Sequence, residues 1–242
     1  RHISTIIGTT IKRENGVSAE GWQKHINNIY CGPSDDLDKQ KASNHGHIKR
    51  TLTYEECQVL QPLLREKDTK NWIKKIRTNG APGPNGIPGS TYKANLAHWA
   101  TLLTTIYNSC YVQSNVPISW KGSIVCPIYK KGDYSDPRNY RLISLLDIEA
   151  KGYASVLLVE LERWTQENQI LPWYQTGFRP MSSTIDNILA LSFLVNQART
   201  PNRRPLYCCF VDYSAAFDKV KRQHLWKKLR DWGISEKLLL AI

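Results

Sequence analysis

Between Ala81 and Gly89 the chain reads A-P-G-P-N-G-I-P-G, with three prolines and three glycines in nine residues. Proline removes a backbone donor and fixes φ, and glycine adds conformational freedom, so neither helix nor strand crosses this stretch. It lacks the G-x-x-x-x-G-K-[ST] arrangement of a phosphate loop and reads as a rigid turn. On either side the apolar residues keep helical spacing. Trp22, Ile26 and Ile29 to Tyr30 mark one helix. Thr53 to Glu56 is a T-x-x-E capping box opening another, with Val59, Leu60, Leu63 and Leu64 on its buried face. Lys70 to Arg77 buries Trp72, Ile73 and Ile76, exposes Lys74, Lys75 and Arg77, and is expected to end at Gly80. A longer pattern runs from about Ser90 to Ser114, with Leu96, Trp99, Leu102, Leu103, Ile106 and Tyr107 facing in.

Strand signals follow. Ser123 to Tyr129 is strand-like and contains Pro127, which suits an edge. Lys130 to Asn139 is a polar turn, and Tyr140 to Leu146 returns, giving a hairpin with a basic, glycine-containing tip. Residues 148–168 are helical, with Val156, Leu157, Val159, Leu161 and Trp164 in period and Gly152 inside. Thr184 to Ala198 is an amphipathic helix capped by Ser182 or Ser183. Thr200 to Pro205 is a basic turn, Leu206 to Val211 a strand running into Asp212, and a helix starts near Val220. Without internal repeats, this is a mixed α/β (α+β) chain.

Charge narrows the partners. Lys plus Arg is 33 against 21 Asp plus Glu in 242 residues, a balance of +12. Such a chain is drawn to polyanions, nucleic acid first, although a basic solvated surface satisfies the same composition. No apolar run is long enough for a membrane span, and no signal peptide is visible. Cys31, Cys57, Cys110, Cys126, Cys208 and Cys209 include no C-x-x-C pair, and all six are expected reduced, in an intracellular protein. Residues 31–50 read as a polar loop in which His45 and His47 are more simply solvated than metal-bound. The chain starts at Arg1, and Leu238 to Ile242 is an apolar helical stripe without a stop signal, so covering residues are expected to be missing.

Asp212 is the sharpest chemical feature. In F-V-D-Y-S-A-A-F-D it sits at the end of an expected buried strand, where an acid pairs, binds a metal or caps the next turn. Asp218 is more readily a helix cap. At the hairpin, Lys130, Lys131, Arg138 and Arg141 can reach phosphates, or simply be solvated. In Q-T-G-F-R-P, Gly177 allows a turn or a close approach to a ligand, and Arg179 suits an anion or an ion pair.

In order, G-P-N-G-I-P, P-I-Y-K-K-G-D, N-Y-R-L-I-S-L-L, Q-T-G-F-R-P with S-S-T-I-D-N-I, and F-V-D-Y-S-A-A-F-D-K-V resemble the reverse transcriptases of non-LTR (LINE-type) retrotransposons, over roughly residues 70–242. The resemblance implies a right-hand polymerase fold. Residues 1–50 would be a linker or N-terminal extension, partly disordered. Fingers would occupy about 51–205, and the start of a truncated palm about 206–242. It implies RNA-directed DNA polymerase activity by two-Mg²⁺ nucleotidyl transfer, with RNA template, DNA primer and deoxynucleoside triphosphates as partners, in cytoplasm or nucleus. Asp212 matches the first catalytic aspartate and metal ligand, and the Tyr213 carbonyl a second ligand. Phe217 matches the bulky gate against the ribose 2′-OH, though a core Phe packs similarly. Lys130 and Arg141 match positions that hold the incoming triphosphate. Gly177 and Arg179 match a motif near template and palm.

Four positions depart from the family: Asn85 for Asp, Leu142 for Pro, Ser182 for a basic residue and Lys221 for an acid. They suggest relaxed selection. No Y-x-D-D occurs in the 242 residues, so this chain alone is expected to be inactive. The alternative is a non-catalytic nucleic-acid-binding relic or co-opted fragment; a third outcome is a remnant that does not fold stably.

Overall fold

The computed structural model describes residues 16–30, 64–200, 205–213 and 216–242. The 31–50 loop with His45 and His47, the Thr53 capping box with Val59 to Leu63, Cys31, Cys57 and residues 201–204 of the basic turn lie outside the described residues.

The described helices and the hairpin follow the sequence periods. Helix α1 (Ala19–Tyr30) buries Trp22 and Ile26, one turn apart. Helix α2 (Glu66–Lys75) has Glu66 and Asp68 in its first turn and Lys74 and Lys75 in its last, complementing the helix dipole. It stops well before Gly80. Ile76 leaves the helix with ψ 135° and packs beside Gly89, so near that a Cβ there would sit 2.5 Å from Ile76 Cγ2.

Residues 81–88 are irregular, as expected. The expected single helix over 90–114 is two: α3 (Gly89–Ala94) and α4 (Leu96–Gln113). They break at Asn95, whose side chain accepts from the His98 N–H at 3.4 Å. A short amide that bonds local backbone competes with the helical ladder and starts a new helix instead. Leu102, expected inside, is exposed; the buried stripe of α4 runs through Ala100, Leu103, Tyr107 and Cys110.

Strands β1 (Ile124–Tyr129) and β2 (Tyr140–Leu145) pair antiparallel, with Ile128 opposite Arg141 and Tyr129 opposite Tyr140. Helix α5 (Ile148–Glu167) follows, burying Val156 and Leu157. Helix α6 (Thr184–Ala198) begins at Ser183, whose N–H donates to Asp186 at 2.7 Å. Helices α7 (Arg222–Asp231) and α8 (Glu236–Ala241) complete the described chain.

The chain forms two compact units, one from residues up to Glu162 plus Asp218–Ile242, the other Arg163–Phe217. The core of the first is the α2–α4–α5 region. Buried Asn108 of α4 accepts from the Leu64 N–H at 3.0 Å and donates to its carbonyl at 3.1 Å. Tyr107, Trp120 and Tyr153 pack ring to ring. In the terminal apolar stripe Leu238 and Leu239 are buried while Leu240 and Ile242 are exposed, and Lys237 Nζ caps the end of α4 through the Val112 carbonyl. Cationic Lys237 suits the negative end of that helix dipole.

The second unit holds the larger correction. Leu206 to Val211 forms no strand; residues 205–213 are irregular and exposed. Strand propensity is realised only through ladder partners, and among the described residues the one ladder is β1–β2. Cys208 and Cys209 are therefore both exposed, rather than on opposite faces of a strand.

Candidate nucleotide and nucleic-acid interface

The register of the hairpin sorts its cations. Directly opposed residues share a face, and faces alternate along a strand. Arg141 opposes Ile128, and Lys130 lies two residues beyond Ile128, its N–H donating to the Asn139 carbonyl at 2.8 Å. Lys130, Ile128, Arg141 and Ile143 thus share one face, and all four are exposed. The other face carries Tyr129 and Tyr140, and Trp22 of α1 meets the Tyr140 ring edge-on at 5.0 Å. One face is a packed support; the other is open and holds the two predicted phosphate-contacting cations.

Arg138 behaves differently. Its guanidinium forks onto Asp136, with Nε at 3.1 and 3.0 Å and Nη2 at 2.8 Å from the carboxylate oxygens. Hydrogen bonding from Arg138 holds the Asp136 carboxyl below its ordinary range, and Asp136 raises the guanidinium in turn. Arg138 is here a brace of the turn. His25 of α1 lies close by, its pKa lowered by burial against the opposing pull of Asp136. Lys131 is exposed.

In the second unit Asp212 and Tyr213 are exposed, not at the end of a buried strand. Phe217 is no core residue; it is exposed, and its ring meets Phe178 edge-on at 5.9 Å. Arg179 donates from Nη1 to the Pro172 carbonyl at 2.9 Å, which braces the loop instead of pairing with an anion. The tight backbone in Q-T-G-F-R-P is at Phe178 (φ 61°), and just after it at Met181 (φ 63°), not at Gly177. Asn187 of α6 donates to Thr176 Oγ1 at 2.8 Å and ties this loop to the helix. The predicted site residues thus divide between the units: Lys130, Lys131, Arg138 and Arg141 in the first; Gly177, Arg179, Asp212, Tyr213 and Phe217 in the second.

Asp212 and the Tyr213 carbonyl are oxygen donors, the kind Mg²⁺ takes. Among the described residues, however, no three or more His, Cys, Asp or Glu side chains gather for a metal. These donors do not complete a site for an ion pair.

One polar cluster escaped the sequence reading. Gly83 presses on the β2–α5 junction so closely that a Cβ would lie 2.4 Å from the Asp147 nitrogen. There Asn85 N–H donates to buried Asp147 at 3.0 Å, and its side chain donates to Glu149 at 3.1 Å. Tyr92 Oη also donates to Glu149, and Tyr107 Oη donates to the Glu149 carbonyl at 3.0 Å. Burial, then the Glu149 contact, raises the Tyr92 pKa. The proline–glycine segment is therefore a docked strap. Its partners lie some sixty residues away, beyond any local signal.

Comparison with known proteins finds similar sequences. Residues 128–242 match the family model described as reverse transcriptase (RNA-dependent DNA polymerase), from β1 through the end of the chain. A probable RNA-directed DNA polymerase from transposon BS of Drosophila melanogaster is 29% identical over 69% of this chain and 18% of its own length. Its counterpart from transposon X-element of the same species is 28% identical over 73% of this chain and 18% of itself. A retrovirus-related Pol polyprotein from type-1 retrotransposable element R1 of Bradysia coprophila is 24% identical over 85% of this chain and 20% of itself. Over these residues the chain is similar to reverse transcriptases of the non-LTR, LINE type. It spans about a fifth of the length of these curated relatives.

Proposed function

We propose that this chain supplies the nucleotide- and nucleic-acid-gripping part of an RNA-directed DNA polymerase. Residues from about 51 to 205 would be fingers, and those from about 206 the start of a palm. The observation that carries this is the shared open face of Lys130 and Arg141, on a hairpin inside the matched region. Arg141 offers a planar fork and Lys130 a compact charge, and together they suit the oxygens of an incoming triphosphate. Lys131 at the tip adds contact to a nucleic-acid backbone. Arg138 would join once released from Asp136. Gly177 and Arg179 would lie near the template, the latter by shaping its loop. Phe217, exposed, is available to reject the ribose 2′-OH.

Mg²⁺, when bound in the complete polymerase, would lower the barrier to phosphoryl transfer by neutralising developing charge. Asp212 and the Tyr213 carbonyl are the groups here that would hold it. The two donors fall short of an ion pair's needs, so the chain's own contribution is binding and orientation. The described cysteines are free, which suits the reducing interior of a cell.

The 242-residue chain is expected to bind primed RNA with an affinity that falls steeply with salt. Lys130→Ala and Arg141→Ala should each lower the slope of log K against log salt by about one. Unchanged slopes in both variants would remove the hairpin from the interface. No primer extension is expected with Mg²⁺ and triphosphates; extension by the purified chain would overturn the assignment of a gripping role alone. The alternative, a non-catalytic binding relic, shares the binding step and is set apart by tight binding of nucleic acid with no affinity for triphosphates.

A further inference from the structure

Four aromatic rings run in contact from the interior of the first unit to the hairpin tip. Trp22, 5% exposed, meets Tyr140 edge-on at 5.0 Å. Tyr140 meets Tyr129 edge-on at 5.5 Å. Tyr129 lies nearly parallel to Tyr134, with centroids 4.1 Å apart and an interplanar angle of 19°. Tyr134 is the end of the series and is 61% exposed. A ring stacked on one face and exposed to that extent turns its other face to solvent.

The tip is also held in shape. Tyr140 Oη donates to the Tyr134 carbonyl at 2.9 Å, and Tyr129 Oη to the Gly132 carbonyl at 2.7 Å. Asn139 Nδ2 donates to the Asp133 carbonyl at 3.0 Å. Burial of one large aromatic face normally rewards folding. Here the fold instead fixes a ring outward, on a turn whose sequence neighbours include Lys130 and Lys131. Of the two acids in the turn, Asp136 is neutralised by Arg138. The other, Asp133, keeps its charge through hydrogen bonds from Ser135.

We infer that Tyr134 is a stacking platform for an unpaired base of a single-stranded nucleic acid, with Lys130 and Lys131 attracting the strand's phosphates. Every base has a π-face, so such a platform works without sequence preference. The chemistry favours a nucleic-acid strand over an acidic peptide, which would use the lysines and leave the ring idle. The inference rests on the proposed role of the hairpin in gripping nucleic acid and adds a residue to it.

The test uses the full 242-residue chain and two single-stranded RNA oligonucleotides of equal length, one intact and one with abasic sites. Wild type should bind the intact strand about tenfold more tightly than the abasic one. Tyr134→Leu, which keeps an apolar contact on Tyr129, should weaken binding of the intact strand about tenfold and leave the abasic strand unaffected. Tyr134→Trp should restore discrimination, and a fluorescent adenine analogue in the intact strand should be quenched by wild type and not by Tyr134→Leu. Equal binding of both strands by wild type would sink the inference and leave the hairpin's role standing. So would a Tyr134→Leu variant that discriminates as wild type does. Failure of wild type to bind either strand, even at low salt, would sink the underlying reading itself.

Discussion

Gly152 sets two effects of similar size against each other. In the middle of α5, alanine is favoured over glycine by about 1 kcal/mol. A Cβ at this position, however, would sit 2.2 Å from Tyr107 Oη and 2.6 Å from the Trp72 ring. Tyr107 is fully buried and its hydroxyl is committed to the Glu149 carbonyl, so it cannot swing aside. Overpacking of this kind costs about 1–3 kcal/mol. Gly152→Ala is therefore expected to lower the urea midpoint, by a net of up to about 2 kcal/mol in stability, with an unchanged m-value. A raised midpoint would mean that the rings yield. Asn85 carries a related lesson. As a departure from the family's usual Asp it reads like drift. In the fold its amide donates to Glu149, where a carboxylate would face like charge. Its neighbours, not its motif, explain it.

At the scale of elements, the hairpin was legible because its signals are local: two alternating runs, Pro127 on an edge, and a polar turn of the right length. Helix α1 was legible for the same reason, from the spacing of Trp22 and Ile26. What it packs against was not, because Tyr140 lies more than a hundred residues away. The break at Asn95 was missed because apolar periodicity continues across it while a single side-chain bond restarts the helix. The expected strand over Leu206 to Val211 had the right residues and lacks a ladder among the described ones. The cations at the hairpin were foreseen, but Arg138 was not foreseen as a brace, nor Tyr134 as an exposed ring. The α1 contact yields a prediction. Truncating a buried Trp costs about 3–5 kcal/mol, and here the loss falls on the support of β2. In Trp22→Ala the amides of β1 and β2 should exchange faster, while those of α4 around Leu103 keep their protection. Uniform acceleration across both would instead point to global destabilisation.

For the whole molecule, the first unit's core carries several protonated groups that burial keeps from ionising. Cys110 is pushed up to about 12 from an ordinary 9.0. Tyr107 and Tyr153 are raised, mainly by burial, from 10.0. Above the unfolded values the native state holds more protons than the unfolded chain, so stability falls as pH rises. The melting temperature should hold steady through neutral pH. It should then drop from about pH 9 upward as the thiol first and then the phenols favour the unfolded chain. A melting temperature that stays level to pH 12 would contradict this core.

The irregular stretch before Asp212 has one more consequence, which concerns the chain in company rather than alone. Leu206-Tyr207-Cys208-Cys209-Phe210-Val211 is six uncharged residues of high β-propensity, irregular, exposed and without a partner strand among the described residues. Such a segment is a template for a second molecule to zip onto, in register, as in cross-β fibrils. The residues around it read as gatekeepers against that outcome: Arg203, Arg204 and Pro205 on one side and Asp212 on the other. Whatever chemistry Asp212 serves, its charge there also discourages identical chains from stacking.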